Sequence, residues 1–151
     1  MKNYYKICEG RLEKILVMIG HIIQNHKKSK TIVFFNTCSS VTFYHNLIAE
    51  YFTKNGQGQI SKSLFQIHGG MKQDKRLKSF RDFGDSKYGV IFATDVIARG
   101  IDFPAIDWIM QIDPPQDPMF YIHRIGRTAR SGSEGSAILL LLDSEKGYLD
   151  Y

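Results

Sequence analysis

The chain has 151 residues, of which 43% are hydrophobic and 23% charged, a composition that predicts one soluble globular domain and excludes disordered, collagen-like and fibrous classes. Cys8 and Cys38 lack partners at metal-ligand spacing, so we expect neither a disulfide nor a metal site. The same observation predicts that the protein resides in a reducing compartment. The apolar runs are too short for a bilayer span and no leader is recognisable, so no membrane partner is expected. A net charge of +5 is compatible with a polyanionic partner, although alone it is a weak indication.

Apolar residues recur at intervals of three and four in residues 11–26, which predicts an amphipathic helix packed on a sheet. A buried strand is predicted at 31–35, followed by a second helix that ends at Lys54 and a strand at 64–67. The predicted apolar stripes are Leu12, Ile15, Leu16, Ile19, Ile22 and Ile23 in the first helix, and Val41, Tyr44, Leu47, Ile48 and Tyr51 in the second.

The same alternation continues to the end of the chain. Further helices are predicted at 73–83 and 119–127, and further strands at 90–93, 108–112 and 137–142. Strands that are continuously apolar and alternate with helices favour an α/β fold, with a mainly parallel sheet covered by helices on both faces. Without an internal repeat or linker, residues 1–151 are expected to form a single domain.

Polar clusters follow the predicted strands at 36–37, 68–70, 93–95 and 113–115, and the last of these leads into the arginine-rich segment 123–130. In open parallel sheets, ligands bind beyond the carboxyl ends of the strands, where helix N-termini present free N–H groups. The sequence therefore predicts that these clusters share one edge of the sheet.

The segment 123–130 reads HRIGRTAR and, if helical, places His123, Arg127 and Arg130 on one face. Gly126 would cost such a helix about 1 kcal/mol relative to alanine, which fits the close approach of another surface. Guanidinium groups match phosphate oxygens, so the segment favours a phosphate site. The alternative is a solvated basic helix end that pairs with the helix dipole and a nearby glutamate.

The segment 93–102 comes directly after a predicted strand. Thr94 offers a hydroxyl and an N–H to phosphate, Gly100 permits close backbone approach, and Asp102 is suited to ribose hydroxyls. The alternative is an ordinary turn in which Thr94 or Asp95 caps a short helix.

A glycine turn at 68–70 leads to a helix start where Gln73 and Arg76 are one turn apart, a pattern that fits a nucleic-acid phosphate. The alternative is a turn followed by a capped, solvated helix. Asn36 and Thr37 are a weaker indication, because polar caps after buried strands are routine.

Together these segments resemble the C-terminal half of the DEAD-box RNA helicases, in the family's order and over essentially the whole chain. Residues 32–37 are similar to motif IV, Gln73 and Arg76 to the QxxR element, 93–102 to motif V, and 123–130 to the HRxGRxxR pattern of motif VI. The resemblance implies a RecA-like three-layer αβα sandwich. Phe103 departs from the smaller aliphatic residues common after motif V.

The resemblance also implies roles at a nucleotide. Arg127 and Arg130 would be catalytic arginine fingers that reach the γ-phosphate, and Gly100 and Asp102 would contact the ribose and adjoining nucleotide. His123 would bridge to a first RecA-like domain.

For RNA, the resemblance implies that Thr37, Gly69, Arg76 and Thr94 hold the sugar-phosphate backbone and that Gln73 supports this site. Such a grip would be insensitive to base sequence and sensitive to salt.

The chain contains no Gly-rich loop ending in Gly-Lys-Thr, no Asp-Glu-Ala-Asp and no Ser-Ala-Thr. We therefore expect ATP and Mg²⁺ to be bound mainly by an N-terminal RecA-like domain outside this chain, and this chain alone to be inactive. Residues 113–115 and 135–148 resemble nucleolar members, which implies ribosomal RNA processing or ribosome assembly, pre-ribosomal partners and a nuclear or nucleolar location, with the cytoplasm as alternative.

Two other functions are compatible with the residues. A catalytically silent RNA-binding or scaffold domain derived from a helicase would keep the RNA contacts but has no evident need for Arg127 and Arg130. The second alternative is a relative that acts on DNA, because contacts to phosphate alone do not distinguish ribose from deoxyribose.

Overall fold

The computed structural model describes residues 1–98, 103, 105–128 and 134–151. None of the helices within these ranges has the length and apolar character of a bilayer-spanning segment. The strands are β1 (Lys2–Cys8), β2 (Lys30–Phe34), β3 (Leu64–Ile67), β4 (Gly89–Ala93), β5 (Trp108–Gln111) and β6 (Ser136–Leu142). The α-helices are α1 (Arg11–Asn25), α2 (Cys38–Lys54), α3 (Gly58–Ser61), α4 (Gln73–Asp85) and α5 (Pro118–Ile125), and 3₁₀ helices lie at Asp95–Ala98 and Asp143–Asp150.

The six strands form one sheet in the order β1-β6-β5-β2-β4-β3, and every neighbouring pair is parallel. The predicted parallel α/β fold is confirmed, and helices pack on both faces of the sheet, as the expected three-layer αβα sandwich requires. Strand β1 was missed by the sequence prediction. It lies at one edge and pairs with β6 over its whole length, from Lys2 opposite Ser136 to Cys8 opposite Leu142.

Two apolar cores lie on opposite faces of the sheet. Neighbouring residues of β2 point to different cores, because successive side chains of a strand alternate: Val33 belongs to the core under α1 and α2, and Ile32 and Phe34 belong to the core under α4 and α5. Phe103 is 5% exposed and packs edge-on against Phe80, with ring centroids 5.0 Å apart, so this departure from the family pattern fills the second core.

The buried faces of α1 and α2 are narrower than the sequence predicted. Ile15, Met18 and Ile22 of α1 are buried, whereas Leu12 and Leu16 are 72% and 58% exposed. The prediction was wrong for these two leucines, and also for Ile23 of α1 and for Leu47 and Tyr51 of α2, because the sheet covers only one side of each helix. The large apolar side chains that remain exposed on the two helices are Leu12, Leu16 and Ile23 of α1 and Phe43, Leu47 and Tyr51 of α2.

Lys14 occupies a position on the buried face of α1 and is only 1% exposed. Its ammonium donates to the backbone carbonyl of Ile112, at 2.9 Å, and to the carboxylate of Glu145, at 2.8 Å. Glu145 also accepts a hydrogen bond from the backbone N–H of Leu142, at 2.7 Å. This buried charge is therefore compensated, and it fixes the C-terminal 3₁₀ helix against α1 and the end of β5.

His21 of α1 packs edge-on against Trp108, with ring centroids 5.1 Å apart, and its Nε2 lies 3.0 Å from Oγ1 of Thr31. Burial lowers the pKa of His21 from 6.5 to about 4. The folded state therefore takes up this proton less readily than the unfolded chain does.

We predict that the free energy of unfolding falls as the pH is lowered from about 6.5 towards 4, because the unfolded chain binds the His21 proton first. The loss assigned to His21 is on the order of 3 kcal/mol. Urea unfolding of the parent and of His21→Gln across this range measures it. Because burial also lowers the pKa of His26 and His68, only the difference between the two proteins is assigned to His21. Equal pH dependence in both would contradict the prediction.

Candidate nucleic-acid and nucleotide interface

The loops that follow β2, β3, β4 and β5 form one edge of the sheet, which we call the carboxyl rim. Thr37 follows β2, Gly69 follows β3 and Thr94 follows β4. Because β4 lies between β2 and β3 in the sheet, Thr94 lies between the other two residues along the rim. The fold thus brings three residues predicted to bind RNA onto one continuous row.

Two of these residues also have a local structural role. Thr37 is the N-cap of α2: its hydroxyl accepts from the backbone N–H of Ser40, at 3.1 Å, and donates to the Ser40 hydroxyl, at 2.8 Å. This is the capping role of the alternative interpretation, and Thr37 is nevertheless exposed on the rim. Thr94 is 8% exposed, and its carbonyl accepts from the N–H of Ile97, at 3.4 Å, at the start of the first 3₁₀ helix.

The turn that carries Gly69 is held by His68, which is 8% exposed. The backbone N–H of Gly70 donates to Nδ1 of His68, at 3.1 Å, so Nε2 carries the proton of the neutral ring and donates to the hydroxyl of Thr42, at 2.9 Å. A side chain at Gly70 would meet the His68 ring at 3.2 Å. Burial lowers the pKa of His68, which favours this neutral form.

Gln73 and Arg76 occupy the first turn of α4. A guanidinium N–H of Arg76 donates to Oε1 of Gln73, at 2.6 Å, so Gln73 orients the arginine. Lys72 at the N-cap provides no side-chain cap, and the N–H groups of this turn are oriented towards the rim end of the helix. The arrangement combines an oriented cation with backbone donors, as a phosphate contact requires.

The most connected side chain of the rim is that of Arg124 in α5, which is completely buried. Its Nε and Nη2 donate to the two carboxylate oxygens of Asp95, at 2.6 and 2.8 Å. Nη2 also donates to Oδ1 of Asn36, at 2.9 Å, and Nη1 donates to the carbonyl of Asp113, at 2.9 Å, and to Oε1 of Gln111, at 3.2 Å. Arg124 thus joins α5 to the loops after β2 and β4 and to the end of β5.

No role was assigned to Arg124 from the sequence, although its position in the helical pattern indicates a buried side chain. Tyr121, Arg124 and Ile125 fall on one face of the predicted helix, at offsets of three and four, and the two other members of this face are apolar. An arginine on the apolar face of an amphipathic helix is expected to be buried and paired.

Helix α5 ends earlier than predicted, so the expected helix to residue 127 was wrong. Gly126 is its C-cap, and the Gly126 N–H donates to the carbonyl of Ile122, at 2.9 Å. A Cβ at Gly126 would lie 3.2 Å from this same oxygen, so the close approach at this glycine is made by the helix itself. Arg127 follows the cap, is half-buried, and donates from Nε to the carbonyl of His123, at 3.4 Å.

His123 is exposed on α5 and packs edge-on against Phe120, with ring centroids 6.0 Å apart. His123 and Arg127 therefore lie beside each other at the end of α5. The predicted nucleotide-binding residues Gly100, Asp102 and Arg130 lie outside the described residues.

Asp113 lies near the start of the loop after β5, and its backbone carbonyl is the one that accepts from Arg124. Its carboxylate forms an ion pair with Arg11 and accepts a hydrogen bond from the backbone N–H of Asn36, at 3.2 Å. The guanidinium of Arg11 lies 5.2 Å from the ring centroid of Tyr44. Across the ranges that the structure covers, no three His, Cys, Asp or Glu side chains are grouped as metal ligands.

Residues 11–132 match the family described as the helicase conserved C-terminal domain. Among curated proteins, the chain is 42% identical over 152 residues to the ATP-dependent RNA helicase HAS1 of Pyricularia oryzae, covering 100% of this chain and 24% of that protein. It is 47% identical over 140 residues to the probable ATP-dependent RNA helicase ddx10 of Dictyostelium discoideum, covering 93% of this chain and 15% of that protein. The chain thus spans a quarter or less of the length of these relatives.

Solved structures give the same result. The Mss116p DEAD-box helicase domain 2 bound to an RNA duplex has a TM-score of 0.87 and 32% identity, with 99% of this chain and 58% of that chain covered. Dbp5 of S. cerevisiae bound to RNA and ADP BeF3 has a TM-score of 0.82 and 27% identity, with 99% and 38% covered. The chain therefore belongs to the helicase conserved C-terminal domain family, as the second RecA-like domain of a DEAD-box protein.

Proposed function

We propose that this chain is the C-terminal half of an ATP-dependent RNA helicase, which grips the RNA sugar-phosphate backbone and supplies arginines to ATP hydrolysis. The observation that carries the proposal is the carboxyl rim, where Thr37, Thr94 and Gly69 form one row and Arg124 ties this row to α5. Relatives named as ATP-dependent RNA helicases and domain structures bound to RNA support it.

In this proposal the RNA backbone runs along the rim, across Thr37, Thr94 and Gly69. Arg76, oriented by Gln73, neutralises a phosphate beside the N-terminus of α4, where the helix dipole also favours negative charge. Contacts of this kind involve no base edges, so the grip tolerates any sequence.

The nucleotide part of the proposal assigns Arg127 and Arg130 to the γ-phosphate and Gly100 and Asp102 to the ribose and adjoining nucleotide. His123, exposed beside Arg127, would contact the N-terminal RecA-like domain of the same protein. ATP and Mg²⁺ would be bound mainly by that domain, so hydrolysis would require the two domains to close. By itself this chain would not turn over ATP.

The cellular part of the proposal is ribosomal RNA processing or ribosome assembly, with pre-ribosomal particles as partners and the nucleolus as location. Its support is the resemblance of residues 113–115 and 135–148 to nucleolar members of the family.

In the full-length protein, Arg127→Ala or Arg130→Ala is predicted to lower RNA-stimulated ATP turnover by about 10³-fold or more, because charge on the transferring phosphoryl group loses its partner. The control is Arg81→Ala, at an exposed position of α4, which should leave turnover unchanged. Steady-state ATPase assays with saturating RNA measure the effect. Normal turnover in both variants would exclude Arg127 and Arg130 from ATP hydrolysis, whereas a parent protein without RNA-stimulated turnover would favour the catalytically silent RNA-binding domain.

Arg76→Ala is predicted to weaken RNA binding at every sequence tested and to reduce the slope of log K against log salt by about 0.7–0.9, the value for one phosphate contact. Fluorescence anisotropy with single-stranded RNA between low and physiological salt measures this slope. Arg81→Ala is again the matched control, since both arginines lie on α4. An unaltered slope in Arg76→Ala would exclude this contact.

Arg124→Lys is predicted to destabilise the fold by about 2–4 kcal/mol, because lysine keeps the charge but loses the fork that bridges Asp95, Asn36 and Asp113. Urea unfolding monitored by circular dichroism measures this loss. Arg81→Lys makes the same substitution at an exposed site and should change stability by less than about 0.5 kcal/mol. Similar losses in the two variants would show that the buried connections do not stabilise the rim.

A further inference from the structure

An open hollow of about 490 Å³ lies between the first two turns of α2 and the loop after β3. It is lined by Cys38, Ser39, Thr42, Phe43 and His68. Phe43 is 59% exposed, whereas His68 on the other side of the hollow is 8% exposed. A large aromatic side chain at this position contributes little to the core, and its ring is available to a ligand that enters the hollow.

The hollow is continuous with the proposed RNA-binding row. Cys38 directly follows Thr37, and His68 directly precedes Gly69. A backbone that rests on Thr37 and Gly69 therefore passes the mouth of the hollow. The base attached to that stretch of backbone is the group that would reach the hollow.

The buried polar ring that lines the hollow, that of His68, has no free nitrogen to read a base edge. Both ring nitrogens of His68 are engaged, Nδ1 by the N–H of Gly70 and Nε2 by the hydroxyl of Thr42. A group that enters the hollow would therefore be recognised mainly by the aromatic face of Phe43. Stacking of this kind accepts any base, because every base has a π-face.

The Phe43 ring packs against a series of aromatic rings that leads into the core. It packs edge-on against Tyr44, with centroids 5.0 Å apart, and Tyr44 is stacked on Phe35, at 5.2 Å and an interplanar angle of 9°. Phe35 is in turn stacked on Phe92 of the core, at 6.1 Å. A ring fixed by such a series loses little conformational freedom when a base stacks on it.

Phe43 is also the first of three exposed apolar residues on α2, followed by Leu47 and Tyr51, and these form a surface that another protein could cover. Of the three, Phe43 alone lines the hollow beside Thr37 and Gly69. Its position therefore favours a ligand that is already bound at the rim.

We propose that Phe43 is a stacking platform for one nucleobase of the bound RNA, and that the hollow beside it is a base subsite without sequence preference. The inference rests on the proposed RNA-binding function and extends it from backbone contacts to one base. It adds affinity that does not depend on charge, in contrast to the contact assigned to Arg76.

The experiment uses the full-length protein and single-stranded RNAs in which 2-aminopurine is moved one position at a time. Stacking quenches this base, so we expect binding to quench it strongly at one position. Phe43→Ala should abolish that quenching and weaken RNA binding by about tenfold, within the range for one stacked base, with the salt slope unchanged. Phe43→Trp should restore both the quenching and the affinity.

Two controls separate this subsite from the rest of the interface. Leu47→Ala, one turn further along α2 and 44% exposed, should leave quenching and affinity at the parental level. An abasic nucleotide at the quenched position should weaken binding of the parent by the same factor as Phe43→Ala and should not weaken Phe43→Ala further.

Each remaining outcome has a definite meaning. If Arg76→Ala weakens RNA binding and Phe43→Ala does not, the base subsite is wrong while the proposed function stands. If neither substitution affects RNA binding, the proposed function itself is wrong. If Leu47→Ala weakens binding as much as Phe43→Ala, the effect belongs to the apolar surface of α2 and the stacking proposal fails.

Discussion

The geometry of the rim depends on one buried guanidinium. A fully buried charge is costly unless its donors are satisfied, and Arg124 is satisfied only when Asp95, Asn36 and the carbonyl of Asp113 are all in place. The loops after β2, β4 and β5 are therefore fixed relative to α5 by a common partner. Thr37, which directly follows Asn36, and Thr94, which directly precedes Asp95, are thus linked to α5, and α5 carries His123 and leads directly to Arg127.

A second buried cation organises the opposite side of the sheet. Lys14 links α1 to the carbonyl of Ile112 and to Glu145, so the end of β5 is held from α1 by Lys14 and from α5 by Arg124. The planar fork of Arg124 connects several loops at fixed angles, whereas the ammonium of Lys14 makes two contacts around a single point charge. The arginine therefore occupies the position where orientation matters for the site.

Much of this arrangement follows from local sequence patterns. Continuously apolar strands followed by polar residues predicted the parallel sheet and the row formed by Thr37, Gly69 and Thr94, because strand period and loop position are local properties. Burial was predicted less well, since Leu12 and Leu16 fit the helical period yet lie on the side of α1 that the sheet does not cover. The end of α5 was misplaced because the helix period continues through a glycine that serves as the C-cap.

Residues that act through distant partners were the hardest to predict. Arg124 lies on a local apolar face, but its partners Asn36 and Asp95 are 88 and 29 residues away in the chain. Phe43 lies outside the apolar stripe predicted for the second helix, and no local pattern indicates that its ring lines a hollow at the rim. The contacts of Arg124 and the position of Phe43 beside the rim arise only when the whole sheet is assembled.

The pairing of β1 has a consequence for synthesis of the protein. β1 (Lys2–Cys8) lies at the edge of the sheet that the described residues form, beside β6 (Ser136–Leu142). On the ribosome, β1 is thus made long before its hydrogen-bonding partner, and its pairing with β6 waits until the residues between the two strands, 9–135, have been made. Closing so long a loop makes this pairing a late and slow event, and the nascent strand is open to intermolecular pairing in the interval.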